Sequence, residues 1–294
     1  MSISLTDNDW KILIKRIKRG KCTPFLGAGA CYGVLPLGSD IAQKWVKEYN
    51  YPDIECNDLV RIAQYLAINN DPMFPKDELV DMFEENHKCP AFNSPYEPHN
   101  VLSELPLPVY MTTNYDDFMT QALKLRNKNP VREFCKWNSA LKSEPSVFDN
   151  NFIPSASNPV VYHFHGIIEK SESLVLTEDD YLDFLVKLSK EEDTILPLPI
   201  KQALSGSSLL FIGYKLEDWD FKVLFRGLVV NGEKSLRRIN VTVQLPPVHE
   251  DLRKYQDDYF NKMDIKVYWG TASEFVKELK NKWREFSNDN KEQG

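Results

Sequence analysis

The spacing of apolar residues near the start of the chain predicts an amphipathic helix. Between Trp10 and Ile17, apolar residues recur at the three- and four-residue intervals of one helical face. Thr6 stands before them with Asp9 three residues later, which is the spacing of a capping box, and Gly20 follows. We therefore expect a helix that begins after Thr6 and ends before Gly20.

Short apolar runs alternate with helical stripes along most of the remaining chain. The predicted strands are 23–26, 109–113, 159–165, 208–212, 241–245 and 265–269. The predicted helices are about 118–123, one beginning at Thr177, 218–230, 250–262 and one beginning at Thr271. This alternation predicts an α/β fold with a Rossmann-like parallel sheet and helices on both faces. Ligands of such sheets bind beyond the carboxyl ends of the strands.

The strands and helices are distributed unevenly along the chain. Residues 39 to about 105 carry helical stripes and predict a helical insertion, or lobe, between the first two strands. Residues 124–158 are polar and are interpreted as irregular, and 287–294 as a frayed tail. We expect a single domain over 1–294, with its core at about 8–285.

Composition and charge exclude several classes of protein. With 42% apolar and 27% charged residues, the chain matches a globular protein rather than a disordered one. Its net charge of −7 argues against nucleic-acid binding, and no apolar run approaches the length of a membrane span, so we expect a cytoplasmic protein. Five cysteines without a C-x-x-C pair predict reduced thiols and no zinc module.

A glycine turn follows the first predicted strand. Gly27, Ala28 and Gly29 would let the backbone approach a pyrophosphate closely, with N–H groups facing the negative charge. The turn has neither the G-x-G-x-x-G spacing nor the Gly-Lys-Ser/Thr of a P-loop, and a plain tight turn explains it as well.

Polar residues also follow the second predicted strand. Asn114 stands shortly before Asp116, and an amide beside a carboxylate can orient a carboxamide, a ribose hydroxyl or a water. The same stretch is also simply a good helix N-cap, and without further context this is the favoured interpretation.

Two histidines stand at the end of the third predicted strand. His163 and His165 would face the same side of a strand, since side chains alternate with period two. No third ligand stands at a familiar spacing, so we predict no metal site. We favour His165 as a base or hydrogen-bonding group in the cleft, with His163 behind it or in the core. Cys31 is interpreted as a buried thiol rather than a nucleophile, because no histidine is near it in sequence.

Four short motifs, taken in order, resemble the sirtuin-like NAD-binding family. They are FLGAG at 25–29, TTNYD at 112–116, FHG at 164–166 and LFIGY at 210–214. Each motif stands at the end of a predicted strand, and together they span most of the chain. The sequence is most similar to the bacterial branch that degrades NAD during anti-phage defence, the Thoeris-type NADases.

The resemblance implies a role for each motif. Residues 27–29 would hold the diphosphate of NAD, and Asn114 would position the nicotinamide ribose or the attacking water. Asp116 would hold the carboxamide, and His165 would be the base acting on the ribose hydroxyls. Gly213 and Tyr214 would contact the adenosine half, with Tyr214 in place of the family's Thr.

Departures from the deacylating sirtuins favour hydrolysis of NAD. The chain lacks their paired C-x-x-C zinc module, and Thr113 replaces the Gln before the catalytic Asn. We therefore expect an NAD glycohydrolase that releases nicotinamide and ADP-ribose, with NAD as substrate and no metal. The alternatives are a non-catalytic NAD- or ADP-ribose-binding module and, third, an NAD-dependent protein deacylase.

An unregulated NAD hydrolase would deplete its own cell. We therefore expect an enzyme that is silent until a partner protein, a nucleotide signal or self-assembly triggers it. A protein partner encoded nearby and a homo-oligomer are the expected associations, without direct binding to nucleic acid or membrane.

Overall fold

The computed structural model describes residues 5–85, 88–190, 195–215 and 238–288. Within them, seven parallel strands form one sheet in the order β3-β4-β2-β1-β5-β6-β7. The strands are β1 (Cys22–Leu26), β2 (Val109–Thr112), β3 (Val131–Phe134), β4 (Val160–His163), β5 (Ser208–Ile212), β6 (Asn240–Gln244) and β7 (Ile265–Trp269). The predicted α/β class with a parallel Rossmann-like sheet is confirmed.

Helices connect and cover the strands. They are α1 (Asp7–Lys18), α2 (Gly38–Glu48), α3 (Leu59–Asn69), α4 (Phe74–Glu85), α5 (Pro98–Ser103), α6 (Phe118–Leu125), α7 (Glu178–Lys190), α8 (Leu198–Gly206), α9 (Glu250–Lys262) and α10 (Ala272–Asn288). The helix predicted at 218–230 lies outside the described residues. Among the helices described, none is both long and apolar enough to span a bilayer.

The two faces of the sheet bury separate apolar cores. On one face, β-strand residues such as Phe25 and Tyr162 pack with Phe184 of α7 and Phe260 of α9. On the other, α1, α5, α6 and α10 cover the alternate residues of the same strands, such as Tyr110. Each central strand is buried along its whole length, which explains why these strands appear as continuous apolar runs in the sequence.

Helices α2, α3 and α4 form a lobe beside the sheet and have their own apolar core. A buried ion pair attaches the lobe to α7: Lys76 Nζ lies 2.9 Å from Asp180 Oδ1, and both side chains are nearly inaccessible to solvent. The same amine lies 5.5 Å from the ring centre of Trp137. The lobe side of the molecule is therefore held to the sheet side by a charged contact shielded from water.

Three predicted helix starts have the capping hydrogen bonds expected from the sequence. Asp9 N–H donates to Thr6 Oγ1, and Thr6 N–H donates to the Asp9 carboxylate. Equivalent reciprocal bonds join Thr177 to Asp180 and Thr271 to Glu274. These caps were predictable because they depend only on residues three positions apart.

Two boundaries differ from the prediction. Residues 124–158 are not all irregular, because β3 forms at the edge of the sheet and pairs with β4 on one side. An edge strand is partly exposed, so its polar residues conceal the apolar pattern. The strand predicted at 159–165 ends as β4 at His163, and His165 lies in the turn that follows.

Candidate active site

The ends of β1, β2 and β5 meet at one edge of the sheet. Because β1 lies between β2 and β5, Leu26 is in register with Thr112 on one side and Ile212 on the other. The residues that follow these three positions therefore lie side by side. This is how the sheet brings together the predicted 27–29 turn, Asn114 and Gly213.

The predicted glycines contact one another through their backbones. The Gly29 N–H donates to the Gly213 carbonyl at 2.9 Å. Gly213 has φ +86°, and a Cβ there would lie 2.3 Å from the Ala30 nitrogen and 2.6 Å from the Gly27 oxygen. Ala28 begins a single 3-10 turn, Ala28–Cys31, which contains Gly29. The close approach of two backbone turns thus already requires these glycines, and their predicted contact with a diphosphate stays a prediction.

Tyr214 joins the three strand ends from beside the glycine turn. Its ring is buried edge-on against Phe25 and Phe211. Its hydroxyl lies 2.8 Å from the Leu26 carbonyl, to which it donates, and 2.9 Å from Thr113 Oγ1. The tyrosine therefore positions the turn that carries Asn114, and its predicted contact with adenosine remains untested.

Asn114 bridges the β2 and β1 turns. Its backbone N–H donates to Thr112 Oγ1 at 2.9 Å. Its side-chain amide donates to the Gly27 carbonyl at 3.2 Å and to Cys31 Sγ at 3.3 Å. The amide of Asn114 is thus not a helix cap. At the start of α6 the cap position is Asp117, and the Asp116 carboxylate before it accepts the Phe118 N–H.

Asp116 is the buried carboxylate of this turn. Its Oδ1 accepts the Phe118 N–H at 3.0 Å, at the start of α6, and its Oδ2 accepts the Cys31 thiol at 3.4 Å. Burial raises the pKa of Asp116, an effect opposed in part by the nearby His99. One carboxylate oxygen therefore binds the start of α6, and the other contacts Cys31, which lies beside Asn114.

A cavity of about 690 Å³ opens beside Asp116. It lies between α4, the start of α6 and the loop at 168–171. Its charged lining residues are Asp77, Asp81, Glu84, Lys88, Asp116, Asp117 and Glu169. Glu169 is paired with Arg132 at 2.7 Å, and the other five carboxyl groups against one amine give a negative field, which favours a ligand with a positively charged ring or group at this end.

The two histidines of the third motif have different surroundings. His163 Nδ1 lies 2.9 Å from the backbone oxygen of Asn114, so this nitrogen carries the proton and donates. The His165 imidazole packs edge-on against Tyr181 and Phe184. Both rings are buried, and burial lowers the pKa of each to about 3. The prediction of a shared face assumed a strand that continues to residue 165, and β4 ends before it.

The structure brings His163 into hydrogen-bond contact with the Asn114 turn. Gly166, directly after His165, has φ +90°, and a Cβ there would lie 2.2 Å from the Ser173 oxygen. The loop after β4 therefore folds back tightly, with the Val175 N–H donating to the His165 carbonyl. The imidazole of His165 is therefore neutral at physiological pH, and its catalytic role stays a prediction.

A cluster of side chains next to Asn114 has no counterpart in the sequence predictions. Cys31 Sγ lies 3.4 Å from Asp116 Oδ2 and 4.0 Å from His99 Nε2, and His99 Nδ1 lies 2.6 Å from Glu97 Oε1. Cys31 was set aside because no histidine is near it in sequence. His99 is 68 residues away and comes close only through the start of α5, so residue spacing offered no signal.

Comparison with known proteins identifies a family and a set of relatives. The SIR2-like domain matches residues 108–268, which is more than half of the chain. The chain is 28% identical over 177 residues to the NAD(+) hydrolase ThsA of Cytobacillus dafuensis. It is also 28% identical over 224 residues to the protein of that name from Enterococcus faecium, and over 238 residues to that from Bacillus cereus (strain MSX-D12).

These alignments cover much of this chain and less than half of each relative. They include 60%, 71% and 78% of the chain, but only 31%, 41% and 44% of the three relatives, in the same order. The similarity therefore concerns one part of longer proteins.

Proposed function

Because the chain belongs to the SIR2-like domain family, we propose that it is an NAD⁺ glycohydrolase. It would use water to break the bond between nicotinamide and ribose, giving nicotinamide and ADP-ribose. One observation carries the proposal: Asn114 contacts Gly27 and Cys31 at the carboxyl ends of adjacent strands, with the acidic cavity beginning at Asp116. The NAD(+) hydrolases among the relatives support it.

The proposed orientation of NAD follows the order of the strand ends. The diphosphate lies against residues 27–29, and the adenosine half extends toward Gly213 and Tyr214 on the β5 side. The nicotinamide lies on the β2 side, with its carboxamide at Asp116. The pyridinium ring of NAD⁺ is positively charged, so the negative field of the cavity supports this orientation rather than the reverse.

The proposed chemistry needs few groups. As the C–N bond lengthens, the ribose gains oxocarbenium character and the electron pair of the bond neutralises the pyridinium nitrogen. Water then adds to the ribose carbon and releases one proton. Asn114 would orient the ribose or this water, and His165 would be the base acting on the ribose hydroxyls.

We also propose a biological setting, which rests on the motif resemblance. The protein would be the effector of a bacterial anti-phage defence system, located in the cytoplasm and silent until triggered. A protein partner encoded nearby, a nucleotide signal or homo-oligomerisation would provide the trigger. Direct contact with nucleic acid or membrane is not expected.

Chromatography of NAD⁺ incubated with the purified protein tests the proposal. The incubation is run with the protein alone, with the product of the neighbouring gene, and with an acylated peptide. Equal amounts of nicotinamide and ADP-ribose without peptide are the expected result in at least one arm. Release of nicotinamide only with the peptide indicates a deacylase. Calorimetric binding of NAD⁺ without nicotinamide in any arm indicates a binding module, and either outcome overturns the proposal.

A further inference from the structure

Cys31, His99 and Asp116 bring three different metal-binding groups to one point. Their Sγ, Nε2 and carboxylate oxygen all lie within 4.8 Å of one another, and all three residues are buried. The residues come from three separate segments: the turn after β1, the start of α5 and the turn after β2. The fold, rather than a local sequence motif, therefore assembles the cluster.

The distances between these atoms suit a tetrahedral zinc ion. Zinc lies about 2.3 Å from sulfur and about 2.0–2.2 Å from nitrogen or oxygen, so two ligands of one ion are about 3.3–3.6 Å apart. Cys31 Sγ lies 3.4 Å from Asp116 Oδ2 and 4.0 Å from His99 Nε2. The third pair, His99 Nε2 and the Asp116 carboxylate, lies within 4.8 Å. Side-chain shifts of up to about an ångström would bring the set to ligand distances.

Glu97 orients the histidine for this role. Its Oε1 lies 2.6 Å from His99 Nδ1, so Nδ1 donates to the carboxylate and Nε2 is the ring nitrogen directed at the cluster. Carboxylates that hold the second nitrogen of a histidine ligand are the usual outer partners of zinc sites. Burial would raise the pKa of Glu97, but the hydrogen bonds from His99 and Asn100 lower it, so this group is a carboxylate.

The cluster has more acidic than basic character. Burial, followed by the charge of Asp116, raises the pKa of the Cys31 thiol, and burial raises the pKa of Asp116 as well. A divalent ion bound here would displace the thiol proton and pair its charge with Cys31 and Asp116.

We propose that Cys31, His99 and Asp116 form an inhibitory zinc site. Zn²⁺ enters through the cavity that Asp116 lines and displaces the thiol proton to solvent. A water molecule fills the fourth coordination position of the ion. The bound ion engages the carboxylate assigned to the carboxamide of NAD⁺ and lies beside Asn114. The ion thereby blocks the nicotinamide end of the site. This inhibition depends on the proposed NAD⁺ hydrolysis, whereas the binding of zinc does not depend on it.

Cobalt substitution tests binding without any assay of activity. Co²⁺ bound to a thiolate in a tetrahedral site gives a sulfur-to-metal charge-transfer band and intense visible bands. We expect both bands for the wild type and for Cys89→Ser, whose thiol is exposed and lies outside the cluster. Cys31→Ser should lose the charge-transfer band and bind Zn²⁺ at least about tenfold more weakly. Equal Zn²⁺ affinity and equal bands in Cys31→Ser would overturn the site.

X-ray absorption of zinc-loaded Cys89→Ser protein gives a result that does not depend on Cys31→Ser folding. One sulfur neighbour with two or three nitrogen or oxygen neighbours is expected. A shell of nitrogen and oxygen alone, or no retained zinc after desalting, would show that the cluster does not bind zinc.

Inhibition is measured as the ratio of NAD⁺ cleavage with and without Zn²⁺ within each variant. Zn²⁺ at about 10 µM should lower this rate at least about tenfold in the wild type and in Cys89→Ser, but not in Cys31→Ser. An unchanged ratio in the wild type, with the cobalt bands present, would overturn the inhibitory role. No cleavage in any sample, with the bands present, would refute the proposed function and leave the metal site standing.

Discussion

The side-chain amide of Asn114 donates a hydrogen bond to the backbone carbonyl of Gly27, 87 residues earlier in the chain. This bond joins the turn after β2 to the turn after β1 at the edge where parallel strands end. A single side chain therefore connects two of the four motifs from which NAD binding is inferred. Replacing Asn114 therefore tests the catalytic role of the residue and the geometry of the site together.

Asn114→Ala should suppress NAD⁺ cleavage by about 10²- to 10⁴-fold, the usual effect of losing one positioned catalytic group. Losing its two side-chain hydrogen bonds should lower the free energy of unfolding by only about 1–2 kcal/mol, because the residue is part-buried at a turn. Product chromatography and denaturant unfolding measure the two effects. Asn261→Ala, on the exposed side of α9, is the matched control. Parental cleavage by Asn114→Ala would remove Asn114 from the mechanism.

Gly213→Ala should destabilise the protein by more than about 3 kcal/mol or prevent folding. The residue has φ +86°, and an added methyl group would lie 2.3 Å from the Ala30 nitrogen. Gly206→Ala is the control, since a Cβ at the end of α8 meets nothing within 4 Å. That variant should be unchanged or up to about 1 kcal/mol more stable. Urea unfolding midpoints compare them, and similar midpoints would contradict the close approach of the two turns.

Burial of His163 should make stability depend on pH. The folded pKa is about 3 and the ordinary value is 6.5, so the unfolded chain binds a proton as the pH falls below 6.5 while the folded chain does not. The stability from the neutral ring is therefore present above pH 6.5 and is lost progressively toward pH 3. Between pH 6.5 and about pH 5 the loss should be about 2 kcal/mol.

Unfolding of the wild type and of His163→Gln over this pH range measures that loss. The two stability curves should run parallel above about pH 7.5, where the imidazole is neutral in both states, and converge as the pH falls. Curves that stay parallel down to about pH 5 would show that the ring is not buried in its neutral form.

Lys76→Met should cost about 1–3 kcal/mol, because it removes the charged partner of Asp180, whose carboxylate keeps the N–H donors of Leu176 and Thr177. The double variant Lys76→Met/Asp180→Asn should recover part of that loss. Lys282→Met removes a partner of the exposed Asp7 and should cost less than about 1 kcal/mol. Thermal and urea unfolding give these values, and a Lys76→Met cost no larger than that of Lys282→Met would be the contrary result.

Much of the fold was predictable because its signals are local. The strands predicted at 208–212 and 265–269 match β5 and β7, since buried runs bounded by polar turns carry a clear pattern. β3 was missed because Arg132 and Glu133 give an edge strand the appearance of a loop. Its apolar members, Val131 and Phe134, are too few to show an alternating pattern.

The candidate site was only partly predictable for a different reason. Turns at the ends of parallel strands must meet, so the neighbourhood of Gly27, Asn114 and Gly213 followed from the fold class. Contacts made from outside the sheet do not follow in this way. His99 reaches Cys31 from the short helix α5, and His165 leaves the line of β4 after the strand ends. Both depend on how helices and loops pack, which a single sequence does not specify.

The ion pair between Lys76 and Asp180 has a consequence for how the cavity admits a ligand. Helix α4 carries Lys76 and also forms one wall of the cavity through Asp77 and Asp81. Swinging that wall outward would separate two charges in a contact shielded from water and take the amine off the face of Trp137. The mouth of the cavity is therefore bounded by a stiff frame on the α4 side.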